Sequence, residues 1–505
     1  MNNQNLYLML KAGFPAAPDA PALETAEGRR YPYAELDAAS ARIASLIVRL
    51  GLKPGDRVAV QVEKSPEALF LYLACLRAGV VFVPLNTAYQ RSELAYFLGD
   101  AQPSLVVCRP QSEALLKELA AEAGVAHVLT LGEAGEGSLP EQAAACAASF
   151  ETVARSDDDL AAILYTSGTT GRSKGAMLTH ANLASNARTL HTYWGFRPGD
   201  VLLHALPIFH AHGLFVACHC ALLNGSLMLW LPRFDVDTAL RLLPRATVFM
   251  GVPTFYTRLL EQPGFGRDSG PNMRLYISGS APLLAETHKE FEARTGQAIL
   301  ERYGMTETVM LTSNPLEGAR RAGTVGYPLP GVELRIAGND GQALPQGEIG
   351  HVQVRGPNVF PGYWRMPEKT REEFTADGFF RTGDLGMIDS QGYVVLVGRS
   401  KDLIITGGYN VYPKEIESYI DEMAGVKESA VIGLPHKDFG EAVAAVVVAE
   451  AGAALSEADV IGSLKGAVAN FKVPKRVFFV DDLPRNTMGK VQKNLLRDRF
   501  AAEAP

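Results

Sequence analysis

Apolar and polar positions repeat with two different periods along the chain. Residues 33–51 carry apolar side chains at helical spacing and end on Gly51, and residues 65–79 repeat that pattern and end on Gly79. The short apolar runs VAVQV and VVFVPL follow these segments and predict strands. Because strands alternate with helices, this part of the chain predicts a parallel sheet that is covered on both faces.

The alternation continues through the middle of the chain and then changes. Strand-like runs such as VLLHALPI, SLMLWL, TVFMG and LYISGS alternate with helix-like runs. From about residue 320, short strands and turns predict a small β-rich lobe, and the last part of the chain alternates again. We therefore predict an α/β fold with mixed α+β lobes, in which a large N-terminal domain with parallel sheets is followed by a small α+β domain.

Composition narrows the class of protein. A chain of 505 residues that is 47% apolar can bury large cores and form two or more domains. Its net charge of −7 argues against non-specific binding to nucleic acid or to an anionic membrane. The five cysteines show no CxxC spacing and indicate buried thiols in a reducing compartment, so we expect a cytoplasmic protein. The first residues lack a basic region followed by a long apolar one, so we expect no signal peptide. The apolar run LFLYLACLRAGVVFVPL carries Arg77 and strand-like ends, so we expect it to be core and not a membrane span.

The stretch Tyr165 to Ala176, YTSGTTGRSKGA, is the strongest candidate for chemistry. Three glycines permit close approach of a ligand to the backbone, five hydroxyl side chains supply hydrogen-bond donors, and Lys174 supplies a positive charge. An apolar run precedes it and the helix-like run HANLASNARTL follows it, which predicts a strand, a phosphate-binding loop and a helix. The Walker pattern does not match. The alternative is a flexible surface loop.

Further motifs carry single polar residues whose interpretation is open when each is taken alone. Glu307, in ERYGMTET, suits Mg²⁺ but also an ordinary solvated position, and Asp384, in RTGD, suits a ribose or a β-turn. His210 and His212 end an apolar strand-like run without metal-ligand spacing, which argues against zinc. We consider His212 either a second-layer or a core histidine.

Together these motifs resemble those of the adenylate-forming superfamily, which includes acyl-CoA synthetases, peptide-synthetase adenylation domains and luciferases. The resemblance runs from about Tyr31 to Arg497 and is greatest to malonyl-CoA synthetases. It implies an AMP-binding domain over residues 1–400, with the β-rich lobe at about 320–400, and a mobile domain over residues 401–505. Lys401 is then the hinge, and Lys490 is the lysine that reaches the acyl carboxylate and the α-phosphate.

The resemblance also implies a role for individual residues. The nucleotide-binding set is Thr166, Ser167, Gly168, Thr169, Thr170, Gly171, Lys174, Gly279, Ser280, Ala281, Tyr303, Thr306, Asp384 and Arg399. The catalytic set is Lys490, His210, Thr306 and Glu307. Glu307 and Thr166 are the implied Mg²⁺ contacts, and Gly407 and Gly408 lie near coenzyme A. The implied acyl-binding set is Arg258, Ser280, His210 and Met310.

Arg258 is the residue that we expect to select the acid substrate. It follows Thr254, a plausible helix N-cap, in the apolar stretch TFYTRLL, and an arginine buried there needs an anionic partner. The resemblance gives it the distal carboxylate of malonate, together with Ser280. The alternatives are a surface salt bridge at Arg258 or a role for Arg274, which we expect to face solvent.

We therefore predict ATP-dependent ligation of malonate, or of methylmalonate, to coenzyme A through an acyl-adenylate, with AMP and pyrophosphate as products. The first alternative is the same reaction on another small, aryl or medium-chain acid, against which Arg258 argues. Leu311 stands where some malonate-specific relatives carry a polar residue, which leaves open the substituent tolerated at C2 of the acid. The second alternative is a catalytically inactive nucleotide-binding protein. The expected partners are small molecules, and a lysine acetyltransferase that acts on Lys490 is a further candidate.

Overall fold

The structure is a computed structural model of the chain, and it describes residues 3–166, 173–406, 409–436, 439–465, 467–486 and 489–503. Every structural statement below concerns these residues. Of the predicted site residues, those at positions 167–171, 407 and 408 lie outside them.

Twenty-four strands are present in the described part of the chain. In chain order they are β1 Pro21–Thr25, β2 Arg30–Pro32, β3 Arg57–Gln61, β4 Val81–Pro84, β5 Leu105–Cys108, β6 His127–Thr130, β7 Leu160–Thr166, β8 Lys174–Thr179, β9 Val201–His204, β10 Leu227–Trp230, β11 Val248–Gly251, β12 Leu275–Ser278, β13 Leu300–Met305, β14 Val309–Ser313, β15 Tyr327–Pro328, β16 Glu333–Ala337, β17 Gly350–Arg355, β18 Phe380–Ile388, β19 Val394–Arg399, β20 Ile404–Thr406, β21 Tyr409–Val411, β22 Val426–His436, β23 Gly440–Ala449 and β24 Arg476–Phe479.

The α-helices of the described residues connect and cover these strands. They are α1 Leu6–Lys11, α2 Tyr33–Arg49, α3 Pro66–Ala78, α4 Arg91–Ala101, α5 Glu113–Glu122, α6 Ser138–Ala144, α7 His180–Tyr193, α8 His219–Asn224, α9 Val236–Leu242, α10 Pro253–Leu260, α11 Ala285–Thr295, α12 Pro367–Glu373, α13 Pro413–Asp421, α14 Glu457–Leu464 and α15 Lys493–Phe500. A π-helical segment, His212–Cys218, leads directly into α8.

Two large sheets form the first part of the molecule, as the alternating pattern predicts. One has six strands in the order β6-β5-β3-β4-β7-β8, and the other has nine in the order β15-β14-β13-β12-β11-β9-β10-β1-β2. Their inner pairs are parallel, whereas β7–β8, β13–β14, β14–β15 and β1–β2 are antiparallel. The α/β class predicted from sequence is confirmed.

The predicted strand–loop–helix order around the phosphate loop is wrong in one respect. The loop leaves β7 as predicted, but it enters β8, which pairs antiparallel with β7 and puts Thr166 opposite Lys174. The helix α7 begins only at His180, where the Thr179 side chain accepts the backbone N–H of Asn182 and caps the helix. The sequence pattern predicts a loop up to Ala176 followed by a helix, and it does not predict the strand at Lys174–Thr179.

α3 is buried between elements of both large sheets, and its sequence explains why. Nearly every one of its side chains is apolar, so the helix has no polar face to present to water. Its one buried charge, Arg77, is held by the carboxylate and backbone carbonyl of Asp37 and by the Tyr7 hydroxyl. The apolar run that forms α3 is therefore part of the core. In the described part of the chain, no helix is long and apolar enough to cross a membrane.

Two smaller sheets complete the fold. The antiparallel sheet β16-β17-β18-β19 is the β-rich lobe, and within it β18 is a nine-residue strand that contains Asp384. Asp384 is therefore a strand residue, contrary to the alternative of a β-turn. The last sheet contains β20 to β24 and has an apolar cluster on each face, one against α13 and α14 and the other against α15.

Candidate active site

The candidate site lies where the parallel strands of the nine-stranded sheet end. β9, β11, β12 and β13 run parallel in the order β9-β11-β12-β13, so their carboxyl ends meet at one edge of the sheet. The predicted motifs PIFHAHG, SGSAP and GMTET follow β9, β12 and the middle of β13. This edge is where ligands bind in open α/β sheets.

Tyr303, Asp384 and Arg399 meet in one contact group, although they come from different sheets. The Tyr303 hydroxyl donates to Asp384 Oδ2, and Arg399 Nε lies 2.9 Å from Asp384 Oδ1. Asp384 and Arg399 are paired residues of β18 and β19, which explains the second contact. A phenol ring beside an acidic residue and an arginine suits a nucleoside, whose base stacks and whose hydroxyls donate to a carboxylate.

The two described ends of the phosphate loop lie close to one another. Thr166 Oγ1 donates to the Lys174 carbonyl at 3.4 Å. Lys174 Nζ is 3.6 Å from Glu373 Oε1 and 4.2 Å from the ring centre of Tyr363. Sequence reasoning missed Tyr363, because its position in an irregular segment after β17 carries no local signal.

Glu307 is buried beside Lys174 and is the residue that fits a metal. The Tyr363 hydroxyl donates to its Oε1 at 3.0 Å. Burial raises the pKa of the Glu307 carboxyl, which is the effect that a bound cation reverses. Among the described residues there is no cluster of three or more potential metal ligands. A single buried carboxylate that shares its cation with phosphate oxygens and water fits Mg²⁺, and Thr306 precedes it in the same turn, half-buried.

The SGSAP segment brings a strained serine to the end of β12. Ser280 has φ 72°, in the left-handed region that few non-glycine residues adopt. Its hydroxyl lies 3.2 Å from Nδ1 of His212, the first residue of the π-helical segment. Ala281, next in the chain, is half-buried. Strain of this kind persists where the surroundings fix it, which is common at ligand sites.

Arg302 is the main site residue that sequence reasoning missed. It lies on β13, is 3% exposed, and its Nε and Nη2 have no hydrogen-bond partner within the described residues. Burial lowers the pKa of its guanidinium to about 9. A buried cation without a partner is costly, so this arginine indicates an anionic ligand. The available signal was a pair of charged residues, Glu301 and Arg302, inside the short strand LERYGM.

Arg258 and Arg274, the two arginines considered from the sequence, are placed differently from the expectations. Arg258 is exposed on α10, so the expectation that it is buried is wrong: the helix buries Tyr256, Leu259 and Leu260 and turns Arg258 away from them. The cap expectation is also wrong, since α10 begins at Pro253 with Val252 as its N-cap residue. Arg274 does not face solvent, because it forms an ion pair with buried Asp200.

His210 and His212 lie in and after the loop that follows β9, which ends at His204 and not at these histidines. Burial lowers the pKa of His210 to about 3, with further lowering by the charges of Lys490 and Arg302. Burial also lowers the pKa of His212, and the charge of Arg302 lowers it further. Both rings are therefore neutral at pH 7 and lie within electrostatic reach of the same arginine.

Met310, the remaining acyl-site candidate, is buried at the start of β14, where its side chain joins the main apolar core. Its carbonyl accepts hydrogen bonds from the side-chain amides of Asn186 and Asn358 at 2.9 Å each. Its neighbour Leu311 is completely buried as well. The backbone at this position is thus fixed by two elements that come from distant parts of the chain.

Lys490 reaches the same region from the last sheet. Its backbone N–H donates to Asn486 Oδ1 at 3.0 Å, and the Gly489 N–H donates to the Asn486 carbonyl at 2.9 Å. The residue as a whole is exposed, but its ammonium end is desolvated, and this lowers its pKa. The charges of Arg399, Asp384, Glu307 and Arg302 all act on it. Lys401 is exposed in the turn Ser400–Asp402.

Comparisons with known proteins agree with this geometry. The family model described as AMP-binding enzyme matches residues 12–364, and the model described as AMP-binding enzyme C-terminal domain matches residues 415–490. A malonate–CoA ligase from Arabidopsis thaliana is 37% identical over 522 residues, which cover 94% of this chain and 85% of that one. The chain belongs to the family of AMP-binding, adenylate-forming enzymes.

Solved structures give the same result at higher identity. ATP-bound MatB from Rhodopseudomonas palustris superposes with a TM-score of 0.97 at 59% identity, over 99% of each chain. Apo MatB from the same organism has a TM-score of 0.87 at 59% identity, again over 99% of each chain. The arrangement of elements here is therefore nearer to the ATP-bound form than to the apo form.

Proposed function

We propose that this enzyme joins malonate to coenzyme A with the consumption of ATP. A malonate carboxylate oxygen attacks the α-phosphorus of ATP, the bond to pyrophosphate breaks, and malonyl-AMP forms. The thiolate of coenzyme A then attacks the acyl carbon and AMP leaves. Similarity to malonate–CoA ligases supports the reaction and the acid, and ATP, Mg²⁺ and coenzyme A are the expected small-molecule partners.

The observation that carries malonate is the buried guanidinium of Arg302, whose Nε and Nη2 have no hydrogen-bond partner among the described residues. Malonate differs from acetate by a second carboxylate, which is charged at pH 7 and needs a cation if it is buried. Arginine suits this carboxylate because its planar fork donates two parallel hydrogen bonds and it stays charged. Ser280, whose hydroxyl is held near His212, is a second donor to the same group. Arg302 thus takes the role that the sequence assigned to Arg258.

Lys490 and Lys174 carry the charge of the first step in this proposal. Attack on the α-phosphorus moves negative charge towards pyrophosphate, and fixed positive groups stabilise that charge. Lys490 approaches from the last sheet, and Lys174 follows the phosphate loop. Glu307 would hold Mg²⁺, with Thr166 as a second proposed contact, and the ion would neutralise phosphate charge. Tyr303, Asp384 and Arg399 hold the nucleoside.

Measuring pyrophosphate release with different acids tests the proposal. We expect malonate to give the highest kcat/KM, methylmalonate to follow, and succinate, acetate and benzoate to react poorly. Methylmalonate keeps both carboxylates at the same separation and adds only a methyl group, whereas acetate leaves Arg302 unpaired and succinate misplaces its second charge. Faster turnover of acetate or benzoate than of malonate would contradict the assignment.

We propose that the domain that begins at Lys401 rotates between the two steps, and that Gly407 and Gly408 then approach coenzyme A.

We also propose that a lysine acetyltransferase switches the enzyme off at Lys490, because acetylation removes the charge. We propose a cytoplasmic location as well. All five cysteines are unpaired, four of them buried and Cys146 half-buried, and free thiols are typical of a reducing compartment.

A further inference from the structure

Tyr363 contacts both groups that the proposed reaction needs at the ATP phosphates. Its hydroxyl donates to Glu307 Oε1 at 3.0 Å, and Lys174 Nζ lies 4.2 Å from the centre of its ring. The side chain is 3% exposed, so neither contact competes freely with water. One tyrosine thus holds the carboxylate through its hydroxyl and the lysine through its ring.

The backbone around Tyr363 is joined to the strand that begins at Lys174. The Met177 N–H donates to the Gly362 carbonyl at 3.1 Å, and the Trp364 N–H donates to the Gly175 carbonyl at 2.7 Å. These bonds add residues 362–364 to the outer side of β8. The ring of Tyr363 is therefore fixed relative to Lys174 by main-chain contacts on both sides.

The same segment is joined to the turn that carries Glu307. The Phe360 N–H donates to the Glu307 carbonyl at 2.8 Å. The Asn358 side-chain amide donates to the carbonyls of Thr308 and Met310, at 2.8 and 2.9 Å. Residues 358–364 thus connect β8 of one sheet with the β13–β14 turn of the other, and Tyr363 is the side chain that contacts both Lys174 and Glu307.

We propose that Tyr363 is a positioning residue for ATP with its metal, which rests on the function proposed above. Its O–H holds one oxygen of Glu307 and so fixes the carboxylate that would bind a cation. Its ring holds the Lys174 ammonium in a fixed place through a cation–π contact. The two contacts are separable, because the first needs only the hydroxyl and the second needs only the ring.

Two substitutions separate the contacts when ATP binding is measured by calorimetry, with Mg²⁺ and with EDTA. Tyr363→Phe keeps the ring and removes the donor, so we expect ATP binding to weaken about 10-fold with Mg²⁺ and less than about 2-fold in EDTA. Tyr363→Leu removes both, so ATP binding weakens under both conditions. Equal weakening of Tyr363→Phe with and without Mg²⁺, or no weakening with Mg²⁺, would overturn the proposal.

A matched control and a double-mutant cycle exclude a merely structural effect. Tyr33 is also buried, and its hydroxyl donates to the Ser226 carbonyl at 2.8 Å, just before β10. Tyr33→Phe should leave ATP binding unchanged. In a Glu307→Gln background, Tyr363→Phe should lose its Mg²⁺-specific effect, because its partner carboxylate is gone. An undiminished effect in that background would contradict the role.

The assay contains neither malonate nor coenzyme A, so it tests Tyr363 independently of the acid. Malonate turnover by the wild-type enzyme, measured separately, tests the proposed function. A wild-type enzyme that binds ATP with Mg²⁺ but prefers another acid would refute malonate and leave the role of Tyr363 standing. Thermal unfolding of each variant shows whether a loss of binding reflects a loss of folded protein.

Discussion

The guanidinium of Arg302 lies against the backbone of Gly279. A β-carbon at residue 279 would be 2.3 Å from Arg302 Cζ and 2.4 Å from its Nη1, distances at which one of the two groups must move. The next residue, Ser280, carries the left-handed backbone and the hydroxyl that lies near His212. The glycine thus provides the space for the cation, and the serine that follows it lies beside the same pocket.

Replacing Arg302 should remove the preference for a dicarboxylate. We expect Arg302→Leu to lower kcat/KM for malonate by roughly 10²-fold or more, equivalent to ~3 kcal/mol, because the second carboxylate loses its cation. ATP affinity should change little, and the rate with butyrate relative to malonate should rise. Arg258→Leu is the matched control, since that arginine is exposed, and it should leave the ratio between the two acids unchanged.

Adding one methyl group at residue 279 should have a similar but weaker effect. Gly279→Ala forces the Arg302 guanidinium out of its place, so we expect KM for malonate to rise about 10-fold with a smaller change in kcat. Gly264→Ala is a control, because a β-carbon there meets no atom within 4 Å. An unchanged KM for malonate in Gly279→Ala would mean that Arg302 can shift without loss of binding.

Lys490 should matter for only one of the two steps. We expect Lys490→Ala to lower the rate of malonyl-AMP formation by roughly 10²-fold or more, since a fixed charge is lost from the transition state. Thioester formation from supplied malonyl-AMP should be spared. Single-turnover measurements of each half-reaction check this, and an equal loss in both would contradict the rotation of the last domain. Acetyl-lysine installed at residue 490 should reproduce the first loss.

The proposed hinge predicts the opposite pattern. Proline at residue 401 fixes φ near −65° and restricts Ser400, so Lys401→Pro should hinder rotation. We expect malonyl-AMP to accumulate with ATP and malonate while the overall rate with coenzyme A falls. Lys401→Ala, which keeps the backbone free, should retain most of that rate. Full turnover in the proline variant would place the hinge elsewhere.

Glu301 should make stability depend on pH. Burial raises the pKa of its carboxyl to about 8, although Oε1 accepts the Leu283 N–H. The folded protein keeps a proton on Glu301 that the unfolded chain releases above its usual pKa of 4.5, so stability falls as pH rises from about 4.5 to about 8 and levels off above that. At ~1.4 kcal/mol per pKa unit, the loss amounts to several kcal/mol.

Glu301→Gln tests this sign, because glutamine keeps an oxygen for Leu283 and cannot ionise. We expect the Tm of the wild-type protein to fall between pH 6 and pH 9 by more than that of the variant. The difference between the two proteins cancels the contributions of Arg302 and Lys414, whose charges act on Glu301 and are present in both. A parallel fall in both proteins would mean that Glu301 does not titrate in this range.

Local pattern was enough for most elements and for the residues in dense motifs. The helix at Tyr33–Arg49, the buried helix at Pro66–Ala78 and the change to short strands after residue 320 follow from apolar spacing, which is a property of neighbouring residues. Lys174, Glu307 and Asp384 stood out because small and polar residues crowd around them. Their roles could be proposed from the motifs around them, and the family could be recognised from the same motifs.

Tertiary structure decided which arginine is buried. Arg258 lies in an apolar stretch and Arg302 follows Glu301 in a short strand, and spacing alone does not show which arginine is buried. α10 packs only one face inwards and leaves Arg258 in solvent, whereas β13 lies inside a sheet where Gly279 directly follows the neighbouring strand β12. Whether a charge is buried depends on the distant segments that pack around it. The proposed role of Tyr363 likewise depends on tertiary structure, because its two contacts, Glu307 and Lys174, come from different sheets.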